Sequence, residues 1–544
     1  MTFSTTTTTD DDARRTGTSL PAPGRGSRGR PAVPVLAGTE SRLLLRHPAF
    51  LAAVVLYAAF WIYDLVPGGA AHAYPVLQDE SWSVHLPLLL LAAGVLLAAN
   101  QGVLRSHRNM TEPMYDVLVV GRSRRICAHL LSLLPAALLA LLLTAGRMGY
   151  LAGRSGAVGE VRPWDVLAGP ACVLLAGVVG VLLSTLVTSA AVAPMAVVGL
   201  GMLTFAGAVN TSASWRWFGL LAFENENAAP LPAALVHRPA AAHLAWLAAL
   251  VVLLGATAVL RAGGRGTALK ATTALALAAA LVAGFTQTRG LSAADTDQVS
   301  AYTDHPAAHQ RCTKGNGLTL CAFPEFAPWT TQWAKVARGV LAYAPGEVAG
   351  APYTIRQRIF PPGGASSDGQ PPPLTEWAAD DSRAGTPKAV TVGTDWSDGA
   401  AGGDRRSDAV VEFATGFAYR AVTGDVPGRP RLTMVCGARA TLVLWLAGKA
   451  TPGTQEALRS TRERTFGGGI SLPLLNSGAG LSFEPRAADF AFDLIDRPSR
   501  ANATVIKKNW AELTAPDTTV DRAARLLGVK APPAVPASGQ VAGC

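Results

Sequence analysis

Apolar residues are concentrated in the first half of this chain. Between residues 43 and 286 they form about seven runs long enough to cross a bilayer, and residues 290–544 hold none. A crossing helix needs roughly 20 mostly apolar residues, because the hydrocarbon core is about 30 Å thick. Helices are the expected form, since backbone polar groups in lipid must be satisfied within the segment. The runs fall at about 49–66, 85–103, 126–145, 166–187, 190–208, 241–260 and 269–286. Pro135 predicts a kink in the third. A very short turn near Thr188–Ser189 joins the fourth and fifth, and the seventh is rich in Ala. The pattern predicts a polytopic α-helical membrane protein followed by a mixed α+β soluble domain.

Four regions follow. Residues 1–38, rich in Thr, Gly, Pro and Arg, cannot bury a core and are expected to be a disordered, basic cytosolic tail. Residues 39–262 hold six spans, 263–288 the seventh, and 289–544 the soluble domain. Glu40–Phe50 (ESRLLLRHPAF) has two readings: an amphipathic helix in the interface, or an extension of the first span. In the soluble domain, Trp329–Tyr343, Ala409–Val422, Leu432–Ala447, Ala501–Leu513 and Val520–Leu527 read as helices. Tyr353–Phe360 and Ala389–Val392 read as strands. Leu442–Gly448 is too short to span and is expected in the core.

Composition adds little to this division, but charge sets an orientation. Charged residues make up 15% of the 544, and the formal net charge is +10. Much of the Lys and Arg excess lies in the tail and in loops between spans, where topology accounts for it, so nucleic-acid binding is not expected. The loops after the second and sixth spans hold eight basic residues, including Arg105, Arg108, Arg261 and Lys270. Those after the first, third and fifth hold five. The bias predicts a cytoplasmic N-terminus in the cell membrane, and seven spans then place residues 290–544 outside.

The cysteines fit an exported domain. Cys312 and Cys321 flank the turn signal Lys314-Gly315-Asn316-Gly317 and are placed for a disulfide, which persists in oxidising compartments. Cys127 and Cys172 fall in spans. Cys436, read as lying in an apolar helix, and Cys544 have no evident partner. His305 and His309 are four apart, as on one helix face, with Glu325 the nearest acidic candidate. No metal site or cofactor is expected from so incomplete a set. No Walker A loop, HExxH, GxSxG or CxxC occurs, so no enzymatic activity is expected of this chain. Few ionisable side chains lie in the spans, which argues against a proton-driven carrier.

The connector Arg105–Arg125 (RSHRNMTEPMYDVLVVGRSRR) begins and ends basic and sets Met114, Val117 and Leu118 against Glu112 and Asp116. Two readings stand: a short docking helix, or a solvated connector whose arginines set topology. The approach ESRLLLRHP, a first span, and then R…TEPMYDVLVVGRSRR resembles the permease subunits of type-2 ABC exporters over roughly residues 38–262. In that family the first intracellular loop carries an acidic-hydrophobic helix and then a turn ending in Arg. Here the pattern falls on Glu112, Tyr115, Asp116, Leu118, Gly121, Arg122, Ser123, Arg124 and Arg125, with Gly121 where Pro is common. The resemblance implies a translocation pathway, a separate cytosolic ATPase subunit docked on this loop, and a second permease subunit, identical or not. The alternative is a membrane-anchored extracytoplasmic sensor or enzyme whose helices serve mainly as anchor.

Overall fold

The computed structural model describes residues 32–65, 73–83, 85, 87–111, 120–209, 218–219, 230–359, 374–396, 409–428, 432–465, 469–473, 479–533 and 544. The membrane half comprises α1 (Ala32–Leu45), α2 (Pro48–Leu65), α3 (Leu77–Ser83), α4 (Leu88–Arg108), α5 (Arg122–Leu131), α6 (Leu134–Ala152), α7 (Pro163–Leu186), α8 (Val192–Val209), α9 (Ala240–Arg261) and α10 (Thr267–Gln287). Five helical stretches are long and apolar enough to cross a membrane: α4, α5–α6 together, α7, α9 and α10. Counting the bent pair α1–α2 as one span makes six, and α8 is a shorter apolar helix. The seven apolar runs are therefore all helical among the described residues, while the first and fifth fall short of that length criterion.

Small residues set the spacing of the bundle. α4 and α7 run side by side in the same direction: Gly169 meets Leu88, Gly177 meets Val95, and the Gly180 carbonyl accepts from Asn100 Nδ2 at 3.1 Å. A Cβ at Gly180 would stand 2.4 Å from the Leu96 carbonyl oxygen, so a side chain there would force the helices apart. Such small-residue contacts are how helices associate when lipid removes the hydrophobic drive between them. α8 and α10 instead turn large side chains outward, among them Met195, Met202, Phe205, Leu275, Leu281 and Phe285. An apolar surface of that extent is compatible with a membrane around these helices.

Two local expectations change. α1 starts at Ala32, inside the stretch read as tail, and does not run straight on into the first span. It meets α2 at a 57° bend and packs on α5. Pro135 does not kink a continuous helix: α5 ends at Leu131 and Pro135 sits in the first turn of α6, where its missing N–H costs nothing.

The soluble domain contains α11 (Ala293–Asp304), α12 (Thr330–Leu341), α13 (Leu374–Arg383), α14 (Ala409–Thr423), α15 (Gly437–Ala450), α16 (Pro452–Arg464), α17 (Pro485–Ile495), α18 (Ser499–Lys508) and α19 (Val520–Leu527). Its strands are β1 (Arg311–Gly315), β2 (Leu318–Ala322), β3 (Tyr353–Gln357), β4 (Ala389–Val392), β5 (Leu432–Val435), β6 (Ile470–Pro473) and β7 (Gly480–Phe483). One sheet has the order β1-β2-β3-β4, with an antiparallel hairpin followed by two parallel neighbours; the other is β5-β7-β6. Asn316 and Gly317 both have positive φ, the geometry of a tight hairpin turn. This brings Cys312 directly opposite Cys321, and the two are disulfide-bonded, as predicted. Trp329, Trp333, Trp445, Phe417 and Phe490 fill the core, and α15 is buried along almost its whole length.

The stretch 432–447 is not one helix. β5 occupies its start, and Gly437, at φ +60° with the Thr518 carbonyl 2.5 Å from where a Cβ would stand, separates strand from helix. Cys436 thus precedes α15 in extended conformation and is bonded to Cys544, a pairing the sequence had not disclosed.

Candidate functional site

Connecting segments gather at the two ends of the bundle. At one end lie the segments after the first, third and fifth apolar runs, and the soluble domain rests on them. Val76, Val158 and Leu235 belong to the domain's own hydrophobic core. The Trp329 indole donates to the Gly156 carbonyl at 2.7 Å, with Tyr74 edge-on against the ring. A side chain at position 156 would run into Tyr74, so only Gly admits this approach. Glu325 bridges two of these segments: Oε1 accepts from the Ala233 N–H at 2.8 Å and Oε2 from Gln78 Nε2 at 3.2 Å. Burial raises the Glu325 pKa, opposed by those two hydrogen bonds. Near this end the bundle buries polar groups that sequence reasoning passed over. Asp165, His85 and Gln287 are fully enclosed beside His243, whose Nδ1 lies 3.1 Å from Gln287 Oε1. Asp165 was legible as an acid near the start of a predicted span.

The opposite end holds the basic loops. Arg105 donates to Glu40 Oε1 at 2.7 Å, and His129 Nδ1 stands 3.7 Å from Glu40 Oε2. The Glu40 carboxylate on α1 therefore ties the last turn of α4 to α1, with the His129 ring of α5 nearby but not hydrogen-bonded to it. Ser41 Oγ adds a bond to the Ser132 carbonyl at 3.3 Å, where α5 breaks into α6. Glu40, Arg105, His129 and Ser132 border a cavity of about 300 Å3 whose lining also includes the apolar Leu43, Leu44, Ala98 and Ala99.

Of the predicted coupling residues, Glu112, Tyr115, Asp116 and Leu118 lie outside the described residues. Arg122, Arg124 and Arg125 are not in a loop: they form the first turn of α5, with Gly121 as its N-cap. Positive charge there opposes the helix dipole, at about 0.3–1 kcal/mol per exposed residue. No acidic residue in that turn offsets them. The exposed Arg122 and Arg124 against the dipole are a local cost, and an anionic partner or surface would relieve it.

His305 and His309 do not share a helix face. His305 caps α11, and His309 follows a short 3-10 turn and stacks on Tyr302 with ring centroids 3.9 Å apart. Among the described residues no group of three or more His, Cys, Asp or Glu is arranged to hold a metal.

The described residues define a class: a helical bundle of membrane type carrying an α+β domain stapled by two disulfides. No known protein family, no curated protein and no solved structure matches the chain.

Proposed function

We propose that this chain is the permease subunit of an ATP-driven exporter of the type-2 ABC class. Its bundle lines the pathway, together with a second permease subunit, and a separate cytosolic ATPase docks on the connector Arg105–Arg125. In this reading the N-terminus and the basic end of the bundle face the cytosol, and the soluble domain lies outside the cell membrane. The observation that carries it is the fastening of α1 at Glu40 and Ser41. The connector leaves α4 just after Arg108 and re-enters at α5; α4 is fastened to α1 through the Glu40 carboxylate and the end of α5 through the Ser41 hydroxyl. A force applied to the connector is therefore transmitted to three helices at once, which a passive anchor does not require. The exposed Arg122 and Arg124 opening α5 offer an acidic docking surface its complement.

The test is reversal of Glu112 and Asp116 to Lys. The expected result is loss of ATPase co-purification from native membranes, with membrane insertion unchanged. Unchanged co-purification and transport would make the segment a connector and remove the support for this reading.

A further inference from the structure

The cavity at the basic end has a lining that the transport reading does not use. Glu40 is occupied: Oε1 holds Arg105 and Oε2 faces His129. His47 Nδ1 accepts from the Ala49 N–H at 3.2 Å, so its proton sits on Nε2, which donates to Gln101 Oε1 at 3.2 Å. That leaves the Gln101 amide N–H2 as a donor. Arg108, exposed at the rim, has no hydrogen-bond or ion-pair partner among the described residues. The polar lining of the cavity is therefore rich in donors, with its one carboxylate already paired. The cavity's apolar lining comes from Leu43 and Leu44 of α1 and from Ala98 and Ala99 midway along α4, and its arginines from the last turns of α4, where the chain passes from apolar to charged residues. A lining that combines donors with apolar side chains, where a predicted span ends, fits a molecule that is anionic at one end and hydrocarbon at the other.

We infer that this cavity binds the phosphate of one anionic phospholipid, with Arg108 and Arg105 on the phosphate and Leu43, Leu44, Ala98 and Ala99 against the first carbons of its chains. Guanidinium groups suit phosphate because they offer paired N–H donors in a plane. Basic pockets at helix ends recur as sites for such headgroups. At about 300 Å3 the cavity lies at the low end for small-molecule sites, which accommodates a headgroup while the acyl chains remain in the bilayer. The site requires only a bilayer, so it stands or falls separately from the ATPase partner.

The test is lipid retention by the full-length protein, measured by native mass spectrometry after exchange into a mixture of phosphatidylglycerol and phosphatidylcholine. The wild type is expected to retain one phosphatidylglycerol. Arg108→Gln removes the free charge and is expected to lower that retention about tenfold, the scale of one charge-assisted contact. Gly102→Leu is the second variant: Gly102 lines the cavity and a Cβ there meets nothing within 4 Å, so the side chain fills the space without disturbing the helices. It is expected to abolish retention with an unchanged unfolding temperature. Equal retention of the two lipids, or full retention in Gly102→Leu, overturns the site. Complete displacement of phosphatidylglycerol by inorganic phosphate would reassign it to free phosphate and overturn the lipid.

Discussion

At the scale of single residues, the joint between bundle and domain turns on Glu325. Its carboxylate is enclosed by the domain on one side and by segments near Gln78 and Ala233 on the other. Desolvation raises its pKa above the ordinary 4.5, against two hydrogen bonds that favour the charged form. The folded value therefore lies above the unfolded one, and the docked state binds the proton more tightly. The stabilisation is full below pH 4.5 and is lost as pH rises through the folded value. Resistance of the domain to proteolysis, measured on full-length protein, should thus decrease from acid to neutral pH. Glu325→Gln should flatten that difference, since the amide does not titrate. An identical pH profile in both proteins would assign the dependence to other groups. Trp329 and Gly156 at the same joint were visible in the sequence only as an aromatic and a turn residue. Nothing local to positions 156 and 329 announces a contact between residues 173 positions apart.

At the scale of elements, sequence patterns served best where one environment surrounds a whole segment. The spans are uniformly apolar because lipid or packed helix surrounds them, so length and hydropathy found them. β3 shows where pattern misleads. Its sequence YTIRQ alternates as though one face were wet, yet all five residues are buried, because it is an inner parallel strand. Arg356 meets Asp381 of α13 at 2.7 Å, and Arg358, just past the strand, meets the same carboxylate at 2.8 Å, so charge pairing replaces solvent. β6 and β7 were not anticipated, although two apolar runs around Asn476-Ser477-Gly478 carry a hairpin signal. The disulfides divide in the same way. Cys312–Cys321 is local and was legible; Cys436–Cys544 spans 108 positions and was not. By chain entropy, the longer loop constrains the unfolded state more. Replacing Cys436 and Cys544 by Ala is expected to cost about 4–5 kcal/mol, and replacing Cys312 and Cys321 about 2–3 kcal/mol. Urea unfolding of the two variants ranks them; the reverse order would show that local strand pairing outweighs the loop term.

At the scale of the whole molecule, the two ends of the bundle carry opposite chemistry, and each agrees with the charge bias of the loops. The end that bears Arg105, Arg108 and the arginines of α5 has no soluble domain against it among the described residues. The end formed by the segments after the first, third and fifth apolar runs holds Glu325 and Trp329 in its grip. Those three segments are the ones the distribution of Lys and Arg assigns to the outside. Packing places the domain at the end of those segments, and the charge bias alone gives that end a side, so the sidedness is a prediction to be tested. The prediction is that a cysteine at Ser382, exposed on α13, reacts with a membrane-impermeant maleimide in intact cells. A cysteine at Arg42, exposed on α1 beside the Glu40 clamp, should react only after lysis. The two native thiols outside disulfides, Cys127 and Cys172, give the background: Cys172 is buried in α7 and Cys127 half-buried in α5. Reaction at Arg42→Cys with protection at Ser382→Cys would invert the topology and put the domain in the cytosol. The connector would then face outward, away from any cytosolic ATPase. Reaction of both in intact cells would mean that the two ends are not separated by a membrane. Only the first pattern leaves the basic end where nucleotide hydrolysis can drive it.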